Sequence, residues 1–103
     1  MTNLYLRGRI AERKVANDLQ DKGFENVRRS AGSRGPADIY ALKDGQKYYV
    51  QVKSGAARAG PEDIQRLREH AQQRGGVAVV IHREGGQNKW RFHGNWNPPR
   101  RRW

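Results

Sequence analysis

Ala37–Gly55 reads ADIYALKDGQKYYVQVKSG. Two runs rich in β-branched and aromatic residues flank Asp44-Gly45, a dipeptide suited to the positive-φ positions of a tight hairpin turn. With that dipeptide at the centre, Lys43 faces Gln46, Ala41 faces Tyr48 and Ile39 faces Val50. The same register sets Asp38 opposite Gln51, with Cβ atoms roughly 4.5–5.5 Å apart. Alternation puts Lys53 on the face of Gln51. Ile39, Ala41, Tyr48, Val50 and Val52 make the other face apolar. Three polar groups therefore converge at one end of the hairpin. Taken alone, a solvated sheet face with one Asp–Lys pair accounts for them equally well.

Around the hairpin the chain alternates helix and strand. From about Gly8 to Lys22, Ala11, Val15 and Leu19 recur every four residues, widened by Ile10 and Ala16, and predict an amphipathic helix closed by Gly23. FENVRRS is extended, and AGSRGP (Ala31–Pro36) is a loop by composition. After the small-residue connector SGAARAGP, Pro61 opens a second helix with Glu62 and Asp63 in its first turn. Ile64, Leu67 and Ala71 form its narrow stripe, and Gly75-Gly76 ends it. VAVVI is a buried strand, EGGQN a turn and KWRF a last strand. The order α-β-β-β-α-β-β predicts an α/β domain with a small mixed sheet flanked by two helices. It spans residues 1–94, and a basic, Pro-containing tail occupies 95–103.

The chain has 103 residues and 21 Lys plus Arg against 10 Asp plus Glu, a formal charge of +11. Such an imbalance opposes compactness and suits a polyanionic partner. There is no cysteine, which excludes disulfides and thiolate metal sites. The longest apolar run, Val77–Ile81, cannot span a bilayer, and the N-terminus lacks the apolar core of a signal peptide. A soluble, cytoplasmic protein without membrane contact is expected.

Glu12 lies one position off the Ala11/Val15/Leu19 stripe, where it can reach over the sheet toward Asp38. Two carboxylates, an amide oxygen and an ammonium suit a hard cation. Mg²⁺ takes one or two carboxylates and leaves other positions to water and substrate phosphate. The carbonyl of Val52 is a candidate for one more oxygen, and Lys53 for stabilising charge on the phosphate or orienting water.

An Asp, a hairpin and then QVK, in this element order, resembles the PD-(D/E)xK nuclease superfamily. Within it the chain is most similar to archaeal-type Holliday junction resolvases. GRIAERKVANDLQDKGFENVRRSAGS resembles their opening block, and RLREHAQQRGGVAVVIHREGGQNKWRF their second helix and final strands. The likeness runs from about Arg7 to Phe92. It implies a restriction-endonuclease-like core and a metal-dependent, structure-selective DNA endonuclease. Such an enzyme acts as a homodimer and cuts two opposed strands of a four-way junction. It makes Glu12 and Asp38 metal ligands and Lys53 the catalytic lysine. Arg13 and Arg29 become phosphate contacts, and Ser30 or Ser33 the assisting serine. The ion expected is Mg²⁺, with Mn²⁺ as the alternative. One position departs from the pattern: Gln51 stands where the family has Glu, as in QxK branches resembling Mrr restriction enzymes. An amide oxygen ligates without charge and cannot act as a base.

Arg7, Arg9, Arg13, Arg28, Arg29, Arg34 and Arg58 are the candidate DNA contacts, read from their clustering with few interleaved acids. His70, His82 and His93 show no metal-ligand spacing and read as structural. Tyr40 and Tyr49 read as a cross-strand packing pair, and Trp90 and Phe92 as core or dimer interface. Trp96 and Trp103, in the tail, are expected against a partner subunit or DNA. Three rivals stand beside the resolvase: a restriction-type nuclease of the same superfamily, a non-catalytic DNA-binding module with a decayed site, and an RNA-binding protein. A nucleoid-associated cellular protein and a virus-encoded one fit equally.

Overall fold

The computed structural model describes residues 4–30 and 35–93, apart from the side chains of residues 4–7. Seven elements follow in order: α1 (Leu4–Asp21), β1 (Glu25–Arg29), β2 (Ile39–Lys43), β3 (Gln46–Ser54), α2 (Pro61–Gln73), β4 (Val77–Glu84) and β5 (Gln87–His93). This is the expected α-β-β-β-α-β-β order. Helix α1 begins about four residues earlier than the apolar stripe suggests. It ends as expected: Gly23 has φ +93°, its N–H donates to Gln20 O, and Phe24 N–H donates to Leu19 O at 3.0 Å. That paired bonding is a Schellman closure.

The strands form one sheet in the order β1-β2-β3-β4-β5. β1–β2, β2–β3 and β4–β5 are antiparallel, while β3 and β4, joined through α2, are parallel. Asp44 and Gly45 have φ of +52° and +79°, the signature of a type I′ turn. That turn sets the pairs Lys43↔Gln46, Ala41↔Tyr48 and Ile39↔Val50 as the sequence predicts.

Each helix covers one face. Ala11, Val15 and Leu19 of α1 pack on Ile39, Ala41, Val50, Val52, Val79 and Ile81. Leu67 and Ala71 of α2 pack on Tyr49, Ala78 and Val80. Strand β4 is buried on both faces from Val77 to Ile81, as a strand between two helical layers must be. Tyr40 and Tyr49 do pack together, with centroids 5.3 Å apart. Trp90 packs tilted against Phe24, 5.8 Å between centroids, at the margin of the α1-side core. Phe92 departs from the expectation of core, because it is 45% exposed on edge strand β5.

The end of α2 is fitted closely to the sheet. A Cβ on Gly76 would stand 2.5 Å from Tyr49 Cε2 and 3.1 Å from Lys47 O. Gly76→Ala therefore lowers stability by about 1–3 kcal/mol, the usual cost of overpacking. Urea denaturation checks this, and an unchanged midpoint contradicts it.

Candidate active site

Asp38 occupies the bend entering β2. Its N–H donates to Val50 O at 2.7 Å, and its own carbonyl accepts from Ser30 N–H at 2.7 Å. Its Oδ2 accepts a 2.8 Å bond from the N–H of Val52. The sequence register is corrected here. The ladder ends at Ile39↔Val50, and Asp38, whose N–H also donates to Val50 O, stands one residue outside it in the bend rather than in a continued pairing with Gln51. The carboxylate turns instead to a backbone donor, which gives it a charge-assisted bond. Val52 thus meets the site through its amide.

Burial raises the pKa of Asp38, and the Val52 amide and the Lys53 ammonium offset part of that rise. Glu12, from α1, is also raised, first by burial and then by the Asp38 charge, while Arg29 and Arg9 act against the rise. The Asp38 charge therefore bears on Glu12, and Arg29, Arg9 and Lys53 already set positive charge beside the two carboxyls. Arg29 Nε lies 4.0 Å from Glu12 Oε1, and that nitrogen is buried without a hydrogen-bond partner among the described residues.

The amide of Gln51 is poorly satisfied. Its Nε2 donates a long 3.4 Å bond to Pro36 O. Its Oε1 is buried without a hydrogen-bond partner among the described residues, and buried polar atoms are rarely left so. An unpartnered amide oxygen is a hard donor, of the kind a divalent cation takes. Among the described residues no group of three His, Cys, Asp or Glu is disposed to hold a metal.

The structure brings Glu12, Asp38, Lys53, Arg29 and the backbone of Ser30 together, with Gln51 two residues from Lys53 on β3. Arg9 acts electrostatically on Glu12. Arg13 is exposed on α1. Arg28 stands with its guanidinium carbon 6.0 Å from the centre of the Tyr40 ring, and Arg58 is tied to the connector after β3. Ser33, Arg34 and the side chain of Arg7 lie outside the described residues, as do Trp96, Trp103 and the tail. Missing from the sequence reading was the relation of His82 to Lys53: the two are partners across β3 and β4. The alternation of Lys89, Arg91 and His93 with Trp90 and Phe92 was the available signal that these side chains share a face.

A two-helix, mixed-sheet domain with acids on a helix and a hairpin, and a lysine two residues beyond Gln51, defines the class as a restriction-endonuclease-like nuclease. The family model of the archaeal Holliday junction resolvases (Hjc) matches residues 3–97, so the chain belongs to that family. Its members are endonucleases that act on DNA junctions and depend on metal. The fold is also similar to the crystal structure of Hjc from Archaeoglobus fulgidus, a Holliday junction resolvase from an archaeal hyperthermophile. The TM-score is 0.69 at 25% identity, covering 84% of this chain and 70% of that one. Among the described residues no helix is long and apolar enough to cross a membrane.

Proposed function

We propose that this chain cuts four-way DNA junctions with a site made of Glu12, Asp38, Gln51 and Lys53, and that Gln51 is a working ligand rather than a mark of decay. The observation that carries this is the orphaned, buried Oε1 of Gln51, on the same strand as Lys53 and two residues from it. Glu12, Asp38 and Gln51 would hold the cation, for which Mg²⁺ is the expected ion because all donors are hard oxygens. When bound, it would polarise the phosphate and lower the pKa of a coordinated water.

The rest follows from the chain's own groups. The Val52 amide fixes the Asp38 carboxylate in place and keeps one of its oxygens engaged. Lys53 supplies a positive charge where the phosphate becomes more negative on attack. Arg29, held against Glu12, orients that carboxylate and offers the remaining guanidinium donors to a phosphate oxygen. Ser30 is positioned by its backbone bond to Asp38. One such site cuts one strand, so paired cutting of a junction calls for two copies of the chain, a homodimer.

Gln51→Glu tests the ligand assignment. It adds a negative charge to the cation site, so it lowers the Mg²⁺ concentration for half-maximal cutting, by about 10-fold if the gain is roughly 1.4 kcal/mol. Cleavage rate against Mg²⁺ concentration reads it. An unchanged Mg²⁺ dependence would remove Gln51 from the ligand set.

A further inference from the structure

Helix α2 packs over β3 and β4, and beside it, among the described residues, the same face of the sheet is open over β4 and β5. The opening is a cavity of about 480 Å³ that begins at Lys53. Its walls carry Arg58, His82, Lys89, Arg91 and His93, with Ile64 of α2 on the apolar side. Among the described residues Glu84 is the one acid lining it, and that carboxylate already faces His82 Nδ1 at 3.8 Å. Behind the wall, Arg68 of α2 acts with Arg91 on His93, which burial and these two charges hold below its ordinary pKa. The Nε of Arg68 is itself buried without a hydrogen-bond partner among the described residues.

Several of these groups are already placed. Arg58 Nη1 donates to Gly55 O at 2.9 Å and to Ala57 O at 3.0 Å, and it lies 2.8 Å from His82 Nε2. Pairing of Val80 with Arg91 and His82 with Lys89 sets the two β5 cations, followed by the imidazole of His93, in a row at the spacing of alternate strand residues. A row of cations with almost no internal neutralisation favours a linear polyanion over a compact ligand. The row starts at the lysine assigned to the scissile phosphate.

We infer that this groove binds the DNA strand being cut, with Lys89 and Arg91, supported by Arg58 and His82, holding backbone phosphates next to the scissile one. The inference rests on the active-site reading, because that reading fixes which phosphate lies at Lys53. These residues position the strand and take no part in the chemistry.

Lys89→Gln and Arg91→Gln, singly and together, test it by junction binding across a salt series without divalent metal. Both residues are exposed, so the variants keep the wild-type melting temperature. Each lost phosphate contact reduces the magnitude of the slope of log K against log salt by about 0.9, and the double variant loses about twice that. Lys47→Gln, which removes the same charge near the opposite end of β3 from Lys53, leaves the slope unchanged. Neutral methylphosphonates at the linkages flanking the cut weaken the wild type and not the double variant. Groove slopes equal to that of Lys47→Gln, or equal sensitivity of both proteins to the methylphosphonates, would overturn the inference. Binding is read without cutting, so the two readings fail separately. An uncut junction with reduced slopes would sink only the catalytic assignment, while normal cutting with unchanged slopes would sink only the groove.

Discussion

Asp38→Asn abolishes cutting of a four-way junction, by about 10³-fold or roughly 4 kcal/mol of barrier, while junction affinity changes little. Asn has the size of Asp, and its side-chain oxygen can still accept from the Val52 amide, which bonds Asp38 at 2.8 Å. The substitution therefore removes charge without removing the anchor. It also relieves a cost in the metal-free protein. Burial already disfavours the ionised Asp38, and that charge in turn raises Glu12. Thermal melting in EDTA consequently shows the variant no less stable than the wild type. A single-turnover assay with end-labelled junction reads the chemistry, and a gel-shift titration reads the binding. Normal cutting by this variant would mean that the carboxylate lies outside the reaction.

Lys53→Ala is the second large effect. Cutting falls by about 10²–10³-fold, the scale for removing one preorganised charge from a transition state. Part of that loss is indirect. Lys53 is a positive charge that holds down the Asp38 pKa, so its removal leaves that carboxyl harder to ionise. For the same reason, raising the pH recovers part of the rate as that carboxyl ionises. A loss independent of pH would confine Lys53 to the phosphate, and undiminished cutting would remove it from the site.

The hairpin was legible because its determinants are local. Asp44-Gly45 dictates the turn, the turn dictates the register, and Ile39↔Val50 through Lys43↔Gln46 follow. The reading failed one residue beyond the ladder. Alternation extended past Ile39 sets Asp38 across from Gln51, but a bend precedes β2 and the side chain turns to the Val52 amide. Periodicity cannot register a bend of that kind, since the competing backbone donor is fourteen residues away. Glu12 was found through its place at the edge of a helical stripe, and its nearness to Asp38 needed only that α1 lie on the sheet. The cations beside Lys53 were harder. Their alternation along β5 is visible in KWRFH, but their alignment with Lys53 depends on the parallel pairing of β3 with β4, set by a crossover that no local pattern encodes. The start of α1 was misjudged because Arg7, Gly8 and Arg9 interrupt any apolar spacing at its N-terminal end.

Gln51 decides whether this family member is a working enzyme. Its amide oxygen brings a lone pair and no charge, so the cation would rest on the two carboxylates of Glu12 and Asp38. Two negative charges suffice formally for one divalent ion, and substrate phosphate adds more when DNA is present. The most direct measurement is cleavage of an end-labelled four-way junction beside a linear duplex of the same sequence, at low salt with Mg²⁺. Paired, symmetric nicks in the junction alone are the predicted result. Tight junction binding without a cut, at every divalent metal supplied, would contradict it and make this chain a DNA-binding protein on a retired nuclease site.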